Sequence, residues 1–316
     1  MASGLGLTSD QYPRLVQIDV SNFCNLKCPL CSNRDRRNQV PVKKGNMSLA
    51  DFKVVAGKLK SAPRFIFGAK NEPLMNRDIF SMTRHLSDLN PKVETELLTN
   101  LTVAGKFKME EIVGSRVQRI SVGLDGIDQR MYAKYRVGGD FNAVVENIRA
   151  IQGFKARQGL ELPSLEILFI VFRHNEHALD EARALARRLG CKITFLRTNF
   201  YEGLEDWFPR RPGLDAGAAR VPAEESAPRE GVPCLDPWQK MNVYHDGLIC
   251  TCSSEARIPA GNILKSSFEE IWNGKAYQST RAMILGRLES VTEPNDCETC
   301  PVYRGQGTIG TIVDPA

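Results

Sequence analysis

Three cysteines near the N-terminus constrain this chain more than any other feature. Cys24, Cys28 and Cys31 follow the spacing Cys-x3-Cys-x2-Cys, directly after a strand-like run at 15–20. Three thiolates on one short loop can hold three irons of a [4Fe–4S] cube, because cysteine thiolate is the usual protein ligand of such clusters. The fourth iron then stays open to a small molecule that brings its own donor atoms.

Zinc is the alternative occupant of this loop. Structural zinc sites close with four protein ligands, often as paired Cys-x2-Cys knuckles. No further cysteine or histidine lies near the loop, and the next one along the chain is His85. The spacing therefore favours an iron–sulfur cluster with one open iron over a closed zinc site.

Size and composition indicate a globular protein with one large and one small domain. The chain has 316 residues, of which 42% are hydrophobic and 25% are charged, as in ordinary soluble proteins. Its net charge of +5 comes from scattered residues without a dense Lys/Arg block, so we expect no nucleic-acid partner. There is no apolar run of about 18 residues and no signal-peptide pattern, so we expect a cytoplasmic protein with no membrane partner.

The remaining cysteines also indicate metal or thiol chemistry. Nine cysteines without a secretion signal point away from a disulfide framework. Seven of them fall into two groups with metal-like spacing, once Cys191 and one of Cys250 and Cys252 are set aside. Cys191 follows a glycine at the start of a predicted strand, and we expect it in the core.

Residues 1–200 are predicted to form the large domain, because β-like runs alternate there with amphipathic helical patterns. The strand candidates are 15–20, 64–68, 93–98, 118–124, 164–172 and 192–197, and the helix candidates are 47–60, 78–89, 107–113, 141–157 and 176–189. Six β/α units predict an α/β fold in which a parallel sheet curls into a partial (β/α)6 TIM-like barrel, because such crossovers are almost always right-handed. Sites in these barrels gather at the carboxyl ends of the strands, where the first cysteine loop lies.

Residues 201–233 differ in composition from the rest of the chain. They are rich in Gly, Pro, Ala, Arg and Glu, which predicts a solvated linker. The segment 201–208 contains three large aromatic residues, and the alternative is that this part covers a pocket.

Residues 234–316 are predicted to form the second module, a small α+β domain. The run 243–249 reads as a β-hairpin with Asp-Gly at its turn, and a helix that starts within 267–272 is expected to continue toward Leu288. The four cysteines of one closed ligand set lie in this module: Cys234, Cys252, Cys297 and Cys300. Zinc competes with an iron–sulfur cluster for any such set of four thiolates.

The first loop resembles that of the radical S-adenosylmethionine (SAM) superfamily, and later motifs extend the resemblance. They are Gly68-Ala69-Lys70-Asn71-Glu72-Pro73-Leu74, Leu98-Thr99-Asn100, Ser121-Val122-Gly123-Leu124-Asp125-Gly126, and Tyr135-Arg136 before Gly138-Gly139. In this resemblance the SAM-binding residues are Asn71, Glu72, Asn100, Ser121 and Arg136. Asn71 and Glu72 stand in the motif that binds the methionine amino group, and Ser121 and Arg136 stand where relatives hold the carboxylate and ribose.

The second module resembles the short auxiliary-cluster domain called Twitch. The matching features are Cys234-x2-Pro237-Trp238, Gly247-x4-Cys252, Gly261-Asn262-Ile263-Leu264 with Ile271-Trp272-Asn273, and the terminal Cys-x2-Cys. The resemblance implies that the four cysteines of this module ligate a second [4Fe–4S] cluster. The implied cofactors are thus two [4Fe–4S] clusters and SAM. The longer SPASM domains need more cysteines for two auxiliary clusters.

Cys250 is the thiol left over in this assignment. Residues i and i+2 of a strand face the same side, so Cys250 is expected to project beside Cys252, near the auxiliary cluster. It could instead be a buried small hydrophobe, as free cysteines often are, or it could be the ligand while Cys252 is spare. The Twitch spacing favours Cys252 as the ligand.

A spare thiol beside an auxiliary-cluster ligand resembles epimerases that act on finished aminoglycosides, of the neomycin C to neomycin B type. The resemblance implies a radical SAM epimerase in which a 5′-deoxyadenosyl radical removes a hydrogen atom and Cys250 returns one to the opposite face. The implied partners are an aminoglycoside-type substrate and an electron donor such as flavodoxin or ferredoxin.

Other functions keep part of this pattern. A Twitch-type dehydrogenase that oxidises an aminocyclitol or sugar alcohol to a ketone keeps every motif but does not need Cys250. A peptide-modifying enzyme and a non-enzymatic zinc or nucleic-acid module are further alternatives. A polycationic substrate needs carboxylates in its pocket; the candidates are Asp19, Glu94, Glu96, Asp125, Glu166, Glu205 and Asp206.

Overall fold

A single ten-stranded sheet organises the protein. The computed structural model describes residues 6–31, 44–197, 205–211, 234–252 and 258–300, together with Tyr303 and the strand 311–312. The strand order across the sheet is β10-β6-β5-β4-β3-β2-β1-β7-β8-β9. Of the predicted linker 201–233, only 205–211 lies within the described residues.

Six parallel strands, joined by helices, form the first part of the chain, as the predicted α/β fold requires. The strands are β1 (Leu15–Asp19), β2 (Arg64–Phe67), β3 (Glu94–Thr99), β4 (Arg119–Gly123), β5 (Ser164–Val171) and β6 (Lys192–Arg197). The helices are α1 (Leu49–Leu59), α2 (Ile79–Leu89), α3 (Met109–Val113), α4 (Gln129–Tyr135), α5 (Phe141–Gln158) and α6 (Leu179–Arg188). Each strand from β1 to β6 pairs in parallel with its neighbour. Helix α4 was not predicted.

The six strands have one apolar face and one more polar face. On β1, Val16 and Ile18 are fully buried in the main hydrophobic core, whereas Gln17 is only partly buried. Because successive residues of a strand point to opposite faces, the apolar residues pack against the helices and the polar ones line the barrel interior. We call this second face, marked by Gln17, Glu96 and Ser121, the inner face.

The C-terminal module continues the same sheet. It contains α7 (Asp236–Gln239), β7 (Lys240–Tyr244), β8 (Leu248–Cys250), β9 (Pro259–Asn262), α8 (Phe268–Trp272) and α9 (Lys275–Ile284). Strand β7 pairs in parallel with β1, and β8 and β9 follow as antiparallel neighbours. The predicted hairpin is confirmed, with Gly247 at a φ of +81° in its turn. Strand β10 (Thr311–Ile312) lies at the other edge, beside β6.

The helix predicted to run from 267–272 toward Leu288 is interrupted. Helix α8 ends at Trp272 and α9 begins at Lys275. Gly274 lies between them in an extended conformation, and a β-carbon there would stand 2.7 Å from the carbonyl oxygen of Glu270. The close approach of the backbone explains the break. Short 3-10 turns occur at Pro73–Met75, Ala104–Lys106, Glu205–Trp207, Leu288–Ser290 and Asp296–Thr299.

No helix in the described part of the chain combines the length and the apolar character needed to cross a lipid bilayer.

Arg281 on α9 links elements of the C-terminal module to each other and to the N-terminal segment. Its side chain is fully buried and donates to the carbonyl oxygens of Pro237 and Leu7 at 2.9–3.0 Å. Its guanidinium also lies 4.8 Å from the ring centroid of Trp272 and 5.2 Å from that of Tyr277. The planar, multidentate arginine therefore joins α9 to α7 and to the N-terminal segment.

Arg281→Lys should lower the stability of the protein by about 1–3 kcal/mol, because one ammonium cannot reach all of these acceptors and leaves buried carbonyls unpaired. Thermal unfolding of the reconstituted protein measures this change. The matched control is Arg287→Lys at an exposed position. Equal unfolding temperatures for the two variants would contradict the anchoring role.

Candidate active site

The first cysteine loop lies at the carboxyl edge of the sheet, directly after β1. Its backbone is held by a hydrogen bond from Lys27 N to Val137 O at 2.8 Å. Cys28 is buried, Cys31 is partly buried and Cys24 is exposed. The three thiols are electrostatic neighbours, since both Cys31 and Cys24 act on Cys28.

The electrostatics of this loop fit a metal cluster. Burial raises the pKa of Cys24 and that of Cys28, the latter to about 11. The thiols of Cys24 and Cys28 therefore keep their protons at neutral pH unless a cation replaces them. No group of three His, Cys, Asp or Glu side chains within the described residues is arranged to hold a metal ion as the side chains stand.

Glu72 lies in the loop after β2 and is almost fully buried. Its carboxylate accepts hydrogen bonds from Thr99 Oγ1 at 2.6 Å, Asn100 N at 2.7 Å and Leu74 N at 3.0 Å. Burial raises the pKa of Glu72, and these hydrogen bonds act in the opposite direction. Glu72 thus fixes the carboxyl end of β3 against the β2 loop. Its neighbour Asn71 is partly buried in the same loop.

Asn100 connects the Glu72 loop to the cysteine loop. Its backbone amide donates to Glu72, and its side-chain Nδ2 donates to Asn25 Oδ1 at 3.0 Å. The same Nδ2 lies 3.9 Å from Cys24 Sγ. The motif residues at the ends of β1, β2 and β3 are therefore brought together, as the barrel topology predicts.

Ser121 lies deeper in the barrel, on the inner face of β4. Its hydroxyl donates to Glu96 Oε1 at 2.7 Å. The other oxygen of Glu96 lies 2.6 Å from Arg64 and 3.3 Å from Arg119. The SAM contact predicted for Ser121 requires that the hydroxyl give up or share this bond.

Arg136 lies beside the cysteine loop and forms a buried ion pair with Asp125. Burial alone would lower the pKa of Arg136, but the charge of its ion-pair partner Asp125 acts in the opposite direction and the net pKa is raised. A β-carbon at Gly123 would stand 2.3 Å from the Arg136 guanidinium. The glycine in the β4 motif therefore makes room for the arginine, which places a fixed positive charge next to the thiols.

An aromatic group covers the other side of the cysteine loop. It consists of Tyr135, Phe172, His174 and Trp207, with ring centroids 4.5–6.0 Å apart for the contacting pairs. Tyr135 and Phe172 share a small hydrophobic cluster with Cys28. Sequence reasoning missed this group, except that aromatic residues in 201–208 suggested a cover. Within that segment, Trp207 contacts Tyr135, Phe172 and His174, and whether the segment covers a pocket stays a prediction.

The partly buried imidazole of His174 makes this aromatic group sensitive to acid. Burial lowers the pKa of His174 to about 4, and the charges of Lys134 and His177 act in the same direction. The unfolded chain, with a histidine pKa of about 6.5, therefore binds more protons than the folded protein between about pH 6.5 and pH 4. This contribution to stability is present above pH 6.5 and is lost as the pH falls through that window.

His174→Phe should flatten the pH dependence of stability, because it keeps the ring but removes the titrating group. We expect the wild-type protein to lose at most about 2 kcal/mol more than the variant between pH 7.5 and pH 5. Urea unfolding at the two pH values measures the difference. His85→Gln on α2, outside the aromatic group, is the control, and identical slopes for wild type and His174→Phe would contradict the assignment.

The second set of cysteines also converges. Cys234 precedes α7, Cys252 follows β8, and Cys297 and Cys300 lie at the 3-10 turn Asp296–Thr299. Burial raises the pKa of Cys234 to about 12, and Asp236, Cys252 and Cys300 add to the effect. Burial likewise raises the pKa of Cys297, with Cys252, Cys300 and Cys234 as contributing neighbours. Cys234, Cys252 and Cys300 thus lie within electrostatic range of Cys297, and their assignment as one ligand set stays a prediction.

Cys250 lies on the inner face, two residues before Cys252 in the sequence. It is paired with Asn242 across the β7–β8 hairpin, and Asn242 is paired with Gln17 of β1. Directly paired residues point to the same face of a sheet, so all three face the barrel interior. Cys250 is fully buried, yet it belongs to neither hydrophobic core cluster of the described residues.

Cys191 has a different environment. It is partly buried, packs against the main hydrophobic core and donates to Leu189 O at 3.5 Å. This agrees with the expected core position.

Most of the candidate carboxylates for a cationic substrate already form hydrogen bonds or ion pairs with other groups of the protein. The engaged residues are Asp19 with the amides of Ala69 and Lys70, Glu96 with Arg64 and Arg119, Asp125 with Arg136, Glu166 with Thr194 and Arg119, and Asp206 with Arg173. Glu94 is exposed, and the side chain of Glu205 lies outside the described residues.

Comparison with family models identifies both parts of the site. Residues 18–186, more than half of the chain, match the model of the radical SAM superfamily. The chain belongs to the radical SAM superfamily. Residues 234–301 match SPASM, an iron–sulfur cluster-binding domain. This radical SAM chain is thus an enzyme with an auxiliary-cluster domain of SPASM/Twitch type, and its cofactors are SAM and two iron–sulfur clusters.

Individual relatives are distant. The chain is 22% identical over 294 residues to the PqqA peptide cyclase of Gluconobacter oxydans, covering 84% of this chain and 78% of the relative. The crystal structure of BtrN in complex with AdoMet and 2-DOIA shares its fold, with 16% identity, a TM-score of 0.53, and coverage of 94% of this chain and 93% of BtrN. Streptococcus suis SuiB gives 13% identity and a TM-score of 0.63, over 93% of this chain and 72% of SuiB.

The cysteine assignments predict a simple metal balance for the reconstituted radical SAM chain. Wild-type protein should contain about eight irons, and replacing Cys24, Cys28 and Cys31 by alanine should leave about four. The double variant Cys297→Ala, Cys300→Ala should also leave about four. Iron and acid-labile sulfide determination after anaerobic reconstitution tests this, with Cys191→Ala as the control that keeps the full content. Zinc in place of the second set of irons would contradict the assignment.

Proposed function

We propose that this radical SAM enzyme is an epimerase that inverts a sugar carbon of an aminoglycoside, in a reaction of the neomycin C to neomycin B type. The single observation that carries the proposal is the position of Cys250. It is a buried thiol on the inner face, two residues before Cys252, the predicted ligand of the auxiliary cluster. A dehydrogenase needs no thiol at that point.

The position of Cys250 suits a hydrogen-atom donor. The cysteine loop and the Glu72 loop lie at the carboxyl ends of β1 and β2, whereas Cys250 pairs with Asn242 in the middle of β7. A substrate inside the barrel could then reach the SAM site at the carboxyl edge and the Cys250 thiol on the inner face at the middle of the sheet. Inversion requires that one hydrogen leave one face of the carbon and another arrive at the opposite face, which the proposal assigns to these two places.

When bound, the clusters and SAM supply the 5′-deoxyadenosyl radical that takes the substrate hydrogen atom, and the electron that, with a solvent proton, later restores the thiol. The Cys250 Sγ–H bond then breaks, and its hydrogen atom bonds to the substrate carbon. An S–H bond is weaker than most C–H bonds beside oxygen, so this donation is downhill. The loop residues Glu72 and Asn100 keep the SAM site in place, and Arg136 offsets negative charge beside the thiols.

A cationic substrate is supported by one carboxylate that sequence reasoning did not select. Asp296 is almost fully buried, and neither oxygen has a hydrogen-bond partner of good geometry among the described residues. Burial raises its pKa to about 6, although the Ile258 amide and Lys70 lie near enough to act in the opposite direction. A substrate ammonium would supply the missing donors.

Cys250→Ala should abolish inversion and solvent-deuterium incorporation into the product, because no thiol remains to return a hydrogen atom. Cleavage of SAM to 5′-deoxyadenosine should persist, since the motif loops are untouched. The measurement is incubation with SAM, reductant and a panel of aminoglycosides in deuterated buffer, with mass analysis of the products.

Cys191→Ala is the matched control for this experiment and should retain inversion. Epimerised product from Cys250→Ala would remove Cys250 from the mechanism. Accumulation of a ketone by the wild-type enzyme, with one SAM consumed per turnover, would instead identify the dehydrogenase alternative.

A further inference from the structure

Asn242 is a buried amide whose hydrogen-bonding groups are both unmet. It lies in the middle of β7 with 3% of its surface exposed. Neither Oδ1 nor Nδ2 has a hydrogen-bond partner among the described residues. Leaving a buried polar group unpaired normally destabilises a protein by about 1–3 kcal/mol, so an amide of this kind requires an explanation.

Two other buried asparagines, Asn76 and Asn175, are bonded through both polar groups of their amides, unlike Asn242. Asn76 is equally buried, donates to Val20 O and Met47 O at 2.9 Å each, and accepts from Asp78 N at 2.9 Å. Asn175 likewise donates from Nδ2 to two backbone carbonyls and accepts through Oδ1. The amides of Asn76 and Asn175 bond to loop backbone groups, whereas the Asn242 amide makes no hydrogen bond within the described structure.

The sheet register places Asn242 between the two halves of the proposed reaction site. It is the direct neighbour of Cys250 on β8 and of Gln17 on β1. The flanking pair Val243 and Ile249 points to the other face and is buried in the main hydrophobic core. The Asn242 amide therefore shares the inner face with the Cys250 thiol, and their β-carbons are about 5 Å apart by strand geometry.

An asparagine is an unusual choice for this position. Asparagine is depleted in strands, where branched and aromatic residues pack better. Tyr244, the next residue of β7 on the inner face, is paired with Asp19 at the end of β1. The inner face from Asp19 and Tyr244 down to Asn242 and Cys250 is thus polar along its length, although the opposite face of the same strands is apolar.

We propose that Asn242 is a substrate-binding residue that positions the reacting carbon against Cys250. Its Oδ1 accepts a hydrogen bond from a hydroxyl or ammonium group of the substrate, and its Nδ2 donates to a neighbouring hydroxyl or ring oxygen. The ligand chemistry is a polyol or amino alcohol with two adjacent polar groups, as in an aminosugar ring. This inference rests on the proposed function and adds the group that fixes which substrate carbon faces the thiol.

The first arm of the test needs no substrate. Asn242→Leu keeps the number and branching of the side-chain heavy atoms but removes the unmet polar groups, so the reconstituted variant should unfold at a temperature equal to or above that of the wild type. Asn76→Leu is the matched control, because the same exchange there breaks three hydrogen bonds and should lower the unfolding temperature. A fall for Asn242→Leu as large as that for Asn76→Leu would show that its amide is already bonded, and would overturn the inference.

The second arm measures substrate use. Asn242→Leu and Asn242→Ala should raise KM for the aminoglycoside by about tenfold or more, as expected for the loss of one or two hydrogen bonds. They should also raise the ratio of 5′-deoxyadenosine to inverted product, because a misplaced carbon is not reached by the thiol. Met241→Leu, on the apolar face of the same strand, should leave both quantities unchanged.

The outcomes separate the two proposals. An unchanged KM and an unchanged product ratio in both Asn242 variants, with an active wild-type enzyme, would overturn the role of Asn242 alone. A wild-type enzyme that inverts no aminoglycoside would contradict the proposed function, while the unfolding arm still decides whether the Asn242 amide is unmet. Asn242→Ala keeps the second arm decisive if leucine disturbs folding.

Discussion

The parallel pairing of β1 with β7 is the interaction on which the rest of this structure depends. Strand β1 leads into the loop with Cys24, Cys28 and Cys31, and β7 leads through a tight hairpin to Cys250 and Cys252. Because the two strands are hydrogen-bonded to each other, the sheet fixes the positions of the two cysteine sets relative to one another. The register also decides that Cys250 and Asn242 face the barrel interior and not the helices.

Buried charges add a second constraint at the mouth of the barrel. Asp125, in the loop after β4, pairs with Arg136 at the end of α4, and Glu72, in the loop after β2, accepts hydrogen bonds from Thr99 and Asn100 at the end of β3. Breaking either would leave an uncompensated polar group in the interior, which is strongly unfavourable. The loop after β2 is therefore tied to β3, and the end of β4 is tied to the end of α4, where Gly123 provides the space for the Arg136 side chain.

Local patterns in the sequence predicted most elements but not their partners. The six strands from 15–20 to 192–197 agree with the structure within one residue, because alternating burial is a local property. The parallel contact between β1 and β7 joins segments far apart in the chain, so a local sequence pattern could not predict it. The unpredicted helix α4 is short, and the break at Gly274 depends on a close backbone approach. The bond from Ser121 to Glu96 and the aromatic cover by Trp207 likewise arise only once the chain is folded.

The position of β1 inside the sheet has a consequence for handling the protein. With β7 in place, β1 is an interior strand, and its backbone groups are paired on both sides. If oxygen destroys the auxiliary cluster and the C-terminal module detaches, β1 becomes an open sheet edge, which readily recruits other chains. Air exposure would then cause precipitation through edge-to-edge association, even while the first cysteine loop is chemically intact.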